Sequence, residues 1–126
     1  MTVWELLDNA VSELEQNDFN YANEQAKLLL AHVLDKDTKE LKDLFSDKIS
    51  KERYMEYQEL LNKCIAERMP VQYLIGYTVF NNMKFKVNKT SMLPDPVTEL
   101  LVNVVIEYMG DRESLKLIDL GTGVGV

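Results

Sequence analysis

The sequence predicts a mainly α chain. A small antiparallel helical bundle spans residues 1–75 and a β-hairpin linker spans 76–92. From residue 93 come the first helix and first strand of an α/β domain that the chain does not complete. Three observations predict this. Up to about Arg68, apolar residues recur at intervals of three and four, the period of one helix face. Past Gly76 the pattern changes to alternation, the period of a strand. The last residues read as a short apolar strand running into glycines at alternate positions.

The first helix opens on Thr2-Val3-Trp4-Glu5, a capping box with Thr2 as N-cap and Glu5 reaching back. Val3, Leu6, Leu7, Ala10, Val11 and Leu14 form its apolar face, and Gln16-Asn17-Asp18 ends it. A second helix runs from about Tyr21 to Leu34, with Ala22, Ala26, Leu29, Leu30 and Val33 on one stripe. A third covers about Lys39 to Phe45. The fourth, about Lys51 to Arg68, starts at Ser50 as N-cap and buries Tyr54, Tyr57, Leu61, Cys64 and Ile65. Pro70 pushes Met69 out of helical geometry and closes it. Short connectors between amphipathic helices imply the bundle.

Thr78-Val79-Phe80 then leads into Asn81-Asn82, and Met83, Phe85 and Val87 alternate with Lys84, Lys86 and Asn88. That is a hairpin with one buried and one wet face, and asparagine tolerates the left-handed backbone its turn requires. In Pro94-Asp95-Pro96, Asp95 suits an N-cap and Pro96 the first helical position. Val97, Leu101, Val104, Val105 and Tyr108 are the stripe of a fifth helix, with Gly110 as its stop. Leu115 to Asp119 is the terminal strand. A parallel strand needs a neighbour and a crossover, so residues 111–126 are expected to be poorly ordered or to pair through open edges.

Composition narrows the function. Of 126 residues, 46% are hydrophobic and 28% charged, which suits a packed core. No apolar run reaches the roughly 20 residues of a membrane span. Met1-Thr2-Val3-Trp4-Glu5 has no basic and then apolar character of a secretory signal. The single cysteine, Cys64, permits no internal disulfide, which fits a reducing cytoplasm. A net charge of −7 without a basic stripe disfavours direct nucleic-acid binding.

Several residues have plain structural readings. His32 is a packing or surface residue, and Cys64 a small buried hydrophobe. Trp4 is a core anchor, and the Glu13–Glu15 and Asp35–Asp37 acids are solvated surface. No carboxylate and histidine set has metal-ligand spacing, so no metal site is expected.

The chemistry gathers at the C-terminal end. Asp119-Leu120-Gly121-Thr122-Gly123-Val124-Gly125 is nearer to the loop of S-adenosylmethionine (SAM) methyltransferases than to a dinucleotide fingerprint. The fingerprint wants a third glycine where Val126 stands, which argues against an oxidoreductase. The segment from Arg68 to Val102 is more specific. Pro70, Gln72, Tyr73, Gly76, Phe80, Phe85, Val87, Pro94, Pro96, Thr98, Glu99, Leu101 and Val102 follow an ordered pattern of P-x-Q-Y-x-x-G, F…F-x-V and P-x-P-x-T-E-x-L-V. This resembles the interdomain region of the protein-(glutamine-N5) methyltransferases that modify peptide-chain release factors, and the resemblance covers essentially the whole chain. The family signature has Arg where Asp95 stands and Glu where Val97 stands.

The resemblance implies a class I SAM-dependent enzyme that methylates the glutamine of the GGQ motif in release factors, in the cytoplasm. It implies cofactor contacts at Asp119, Gly121, Thr122, Gly123 and Gly125, and a substrate pocket lined by Pro94, Pro96, Thr98 and Glu99. It also implies that residues 1–75 help grip the protein substrate. The family's N-P-P-Y motif, which holds the target amide, lies downstream of the glycine loop. The chain is therefore expected to be the N-terminal portion, truncated after that loop, with no catalytic residue of its own and no activity alone. A sister enzyme acting on a ribosomal protein has the same layout. A helical module that binds a partner without catalysis is the reading from another class.

Overall fold

The computed structural model describes residues 1–126. It divides into two compact units, Met1–Ile75 and Gly76–Val126. The first holds α1 (Val3–Gln16), α2 (Ala22–Leu34), α3 (Leu41–Leu44), α4 (Lys51–Ala66) and α5 (Val71–Ile75). The second holds β1 (Tyr77–Phe80), β2 (Met83–Lys86) and α6 (Thr98–Met109). The chain is mainly helical with a single two-stranded sheet, as its periodicity predicts.

The start of α1 is fully hydrogen-bonded. The Glu5 amide donates to Thr2 Oγ1 at 3.2 Å, and the Thr2 amide donates to Glu5 Oε2 at 2.7 Å, completing the capping box. The Thr2 amide on the carboxylate holds the Glu5 carboxyl below the usual range. The Val3 and Trp4 amides donate to the carbonyls of Asp47 and Phe45, which ties the first residues to the segment before α4. Val3, Leu6, Leu7, Ala10 and Leu14 are buried as expected, while Val11 is half-buried. Trp4 is not the expected core anchor. It is 51% exposed, with its ring lying edge-on to Phe45 at 5.1 Å.

α2 is the centre of the first unit. Its expected stripe is buried, and so are Gln25, Leu28 and Ala31. The helix packs against α1, α4 and α5, so three neighbours cover faces that a single stripe would leave wet. Its end is a left-handed cap: Asp35 has φ 54° and ψ 49°, and the Lys36 amide donates to the Ala31 carbonyl at 2.9 Å. Glycine adopts this conformation without a Cβ penalty, and an acid at the carbonyl end of a helix opposes the dipole. Asp35→Gly is therefore expected to stabilise the unit by about 0.5–1 kcal/mol. Thermal unfolding followed by circular dichroism should show a rise of a few degrees in Tm; an unchanged or lower Tm would contradict it.

α4 begins at Ser50, whose hydroxyl accepts from the Arg53 amide at 3.3 Å. It stops at Ala66 rather than Arg68, because the reversal occurs at Arg68 itself. That residue has φ 48°, and the Met69 amide turns back to the Cys64 carbonyl at 2.9 Å. Tyr57, Leu61 and Cys64 are buried, whereas Tyr54 and Ile65 are half-buried. The Tyr57 hydroxyl donates to the Ala26 carbonyl at 3.2 Å. Pro70 does more than close α4. It precedes α5, a helix absent from the sequence-based expectation, and its carbonyl accepts from the Tyr73 amide at 3.1 Å.

In the second unit, β1 and β2 pair antiparallel with Thr78 opposite Phe85 and Phe80 opposite Met83. Asn81 and Asn82 have φ 45° and 62°, the double left-handed turn that suits the strand twist. Thr78, Phe80 and Val87 are buried and Phe85 is half-buried, but Met83, expected on the buried face, is 57% exposed at the hairpin tip. Tyr77 and Lys84 share the wet face, with the ammonium 4.8 Å from the ring centroid.

Two expectations fail beyond the hairpin. Val97, Leu101, Val104, Val105 and Tyr108 are expected as the apolar stripe of a helix, yet α6 starts only at Thr98 and has no buried residue. Periodicity places apolar side chains on a common face; burial requires a second layer against that face. Residues 115–119 form no strand, because the ladder groups of a strand need a neighbour and the only sheet is the hairpin. Gly110 does end α6, at φ 52° with its amide on the Ile106 carbonyl. No helix is long and apolar enough to cross a membrane.

Candidate functional site

The segment read as a substrate pocket is a hydrogen-bonded run into α6. Asp95 does not cap the helix directly; α6 starts at Thr98. The Asp95 carboxylate instead accepts from the Val97 amide at 2.9 Å, closing a side-chain turn one step earlier. The Thr98, Glu99 and Leu100 amides then donate to the carbonyls of Asp95, Pro96 and Val97, a tight three-residue spacing that leads into the helix. Pro94, Thr98 and Glu99 are half-buried and Pro96 is exposed. Glu99 Oε1 accepts from the Asn81 amide at 2.9 Å, so its carboxylate reaches the hairpin turn.

The residues read as cofactor contacts form an exposed turn. Asp119, Gly121, Thr122, Gly123 and Gly125 are all exposed. Gly121, Gly123 and Gly125 have φ 71°, 60° and 88°, and no heavy atom lies within 4 Å of where a Cβ would stand. These glycines thus serve backbone conformation, not close packing within the chain. The Gly125 amide donates to the Thr122 carbonyl at 3.0 Å. This run of positive-φ glycines is open to solvent along its backbone.

Sequence reasoning missed three features. An apolar groove of about 370 Å³ runs along the C-terminal half of α6 and residues 115–117, bordered by Tyr108 and Arg112, whose guanidinium lies 4.9 Å from the Tyr108 ring. The exposed α6 stripe was its only signal. Gln25 is buried and bridges two segments: Nε2 donates to the Asn20 carbonyl at 2.6 Å and Oε1 accepts from the Val71 amide at 3.0 Å. A polar residue amid the apolar positions of α2 was the clue. In α5, the buried Oε1 of Gln72 has no hydrogen-bond partner.

The nucleophilic and titratable groups of the core are quiet. Burial pushes the Cys64 thiol up to about 11, so it is protonated and unreactive at neutral pH. Burial also raises the Tyr57 phenol well above its usual range. No group of three or more His, Cys, Asp or Glu side chains gathers as a metal set.

The Cys64 shift fixes a sign for alkaline pH. The unfolded thiol loses its proton near its ordinary value of 9.0, while the folded one holds it to about 11. Across that window the folded state binds more protons, so stability is full below about pH 9 and falls as pH rises toward 11. The fall is at most about 1.4 kcal/mol per pH unit from this group, and Tyr57 adds to it at higher pH. Urea midpoints at pH 8 and 10.5 should differ accordingly, with Cys64→Ala flattening the slope; an equal slope in that variant would refute the assignment.

Comparison with known proteins adds the family. A family model described as the PrmC N-terminal domain matches residues 5–76. The chain is 34% identical over 129 aligned positions to a release factor glutamine methyltransferase of Bacillus cereus, covering 99% of this chain and 44% of that protein. It is 30% identical to a release factor glutamine methyltransferase of Aliivibrio fischeri, covering 99% of this chain and 43% of that one. A bifunctional methyltransferase of Rickettsia prowazekii is 28% identical across 98% of this chain and 27% of its own length. The chain thus spans less than half the length of these relatives. With five helices over residues 1–75 and the family match lying on them, the chain belongs to the PrmC N-terminal domain family.

Proposed function

We propose that this chain is the N-terminal part of a SAM-dependent methyltransferase that N5-methylates the GGQ glutamine of peptide-chain release factors. One observation carries the reading: 99% of this chain aligns, at 34% and 30% identity, with relatives named for that activity. In this reading residues 1–75 grip the protein substrate, 76–92 are the linker, and 93–126 open the methyltransferase domain. The bare apolar face of α6 supports this, since such a face suits a helix whose covering layer is supplied by further chain.

The chemistry demands orientation. An amide nitrogen is a poor nucleophile, because its lone pair is delocalised into the carbonyl. SAM, when bound, supplies an electrophilic methyl group on a sulfonium. The protein's part is to hold the amide in line with it and to exclude water. Gly121, Gly123 and Gly125 would hold the methionine part of SAM through their backbone, with Thr122 beside them, and Asp119 would orient the loop or meet the cofactor's amino group. Pro94, Pro96 and Thr98 line the side from which the substrate glutamine approaches. The soluble, cytoplasmic setting of translation suits this role.

The test is methyl transfer from labelled SAM by a protein that carries this segment at the full length of its relatives. Transfer to a release factor is expected, and the 126-residue chain alone is expected to transfer none. Preferential labelling of a ribosomal protein would replace the substrate, and turnover by the 126-residue chain would overturn the division of labour.

A further inference from the structure

The stretch that joins the hairpin to α6 is closed on itself by one polar bond. In a two-residue hairpin turn the amide of the first turn residue has no partner in the ladder. Here that amide belongs to Asn81, and it donates to Glu99 Oε1 at 2.9 Å from a partly buried position. A hydrogen bond to a carboxylate is stronger than one between neutral groups. Glu99 lies in the first turn of α6, where the helix dipole also favours a negative charge.

The chain between these two ends carries two side-chain turns. Asn88 Oδ1 accepts from the Thr90 amide at 2.9 Å and from the Thr90 hydroxyl at 2.5 Å. The Asp95 carboxylate closes the second side-chain turn through the Val97 amide. Pro94 and Pro96 fix two more backbone angles. A hairpin of two short strands is marginal by itself, so a tie at its tip has leverage on how the following segment is held.

We propose that Glu99 is a positioning residue. It closes residues 81–99 into a clasp that holds Pro94–Thr98 at a fixed placement on the hairpin, rather than touching the substrate amide or the cofactor. This reassigns one of the residues expected to line the pocket, and its catalytic consequence rests on the methyltransferase reading above. The clasp itself does not rest on that reading.

The experiment has two arms. In the 126-residue chain, amide exchange at Asn81 is read by NMR for Glu99→Ala, Glu99→Gln and, as control, Glu107→Ala on the exposed side of α6. Glu99→Ala is expected to speed Asn81 exchange at least tenfold. Glu99→Gln keeps an accepting oxygen and should stay within about threefold of the parent, as should the control. Unchanged exchange in Glu99→Ala overturns the clasp. In the protein at the full length of its relatives, Glu99→Ala is expected to lower kcat/KM for the protein substrate at least tenfold while SAM binding stays unchanged, with Glu99→Gln recovering most of that loss. If Glu99→Gln is as impaired as Glu99→Ala while Asn81 remains protected, Glu99 acts on the substrate directly and the positioning role is wrong. If the parent shows no methyl transfer at all, the methyltransferase reading falls, and the exchange arm still decides the clasp.

Discussion

Leu29→Ala is expected to remove a third or more of the stability of the helical unit. Leu29 is fully buried in α2, the helix that α1, α4 and α5 pack against. Truncating such a side chain costs about 3–5 kcal/mol, because the lost transfer energy adds to the cavity left behind. A domain of this size has a total stability of about 4–11 kcal/mol. The variant should show a urea midpoint lowered by a third or more, followed by circular dichroism at 222 nm. Leu101→Ala is the informative partner. It carries the same chemistry on α6, where Leu101 is 63% exposed, and should change stability by no more than about 0.5 kcal/mol. Equal losses in the two variants would mean that α6 is covered after all.

Gln25→Leu is expected to destabilise the same unit for a different reason. The side chain is almost the same size and more apolar, so a count of buried carbon favours the variant. The hydrogen bonds decide otherwise. Removing Nε2 and Oε1 strands the Val71 amide, which is fully buried, while the carbonyl of the exposed Asn20 can turn to water. A buried group left without a partner costs about 1–3 kcal/mol. A loss of about 1–3 kcal/mol follows, and exchange at the Val71 amide should accelerate because α5 loses its anchor to α2. Gln25→Glu separates the two bonds, since it keeps the acceptor for Val71 and removes the donor to Asn20. A variant as stable as the parent would show that water replaces both bonds.

These two variants also mark where the sequence is readable. The capping box of Thr2 and Glu5, the Ser50 cap and the Asn81-Asn82 turn follow from local chemistry within a few residues, and the structure has them. α5 was hidden for the opposite reason. Val71–Ile75 is too short to display a helical period, and its first amide is satisfied by Gln25, far away in the chain. Glu99 belongs with it. Its position in the Pro-x-Pro run suggested a pocket, while its carboxylate is engaged by an amide from the hairpin tip. The glycine loop was legible as a motif, and its three left-handed glycines have the expected backbone.

By itself the sequence determined the kind of each helix, the hairpin turn, and the ordered motifs that place the chain among its relatives. Those depend on spacing, on caps and on backbone preferences, all of which act over a few residues. Only the tertiary structure decided which apolar faces are covered. α2 is enclosed on several sides, while α6 and the residues after it stay bare although they are just as apolar. Periodicity records that a face exists. What lies against it depends on contacts between distant segments, and no local pattern encodes them.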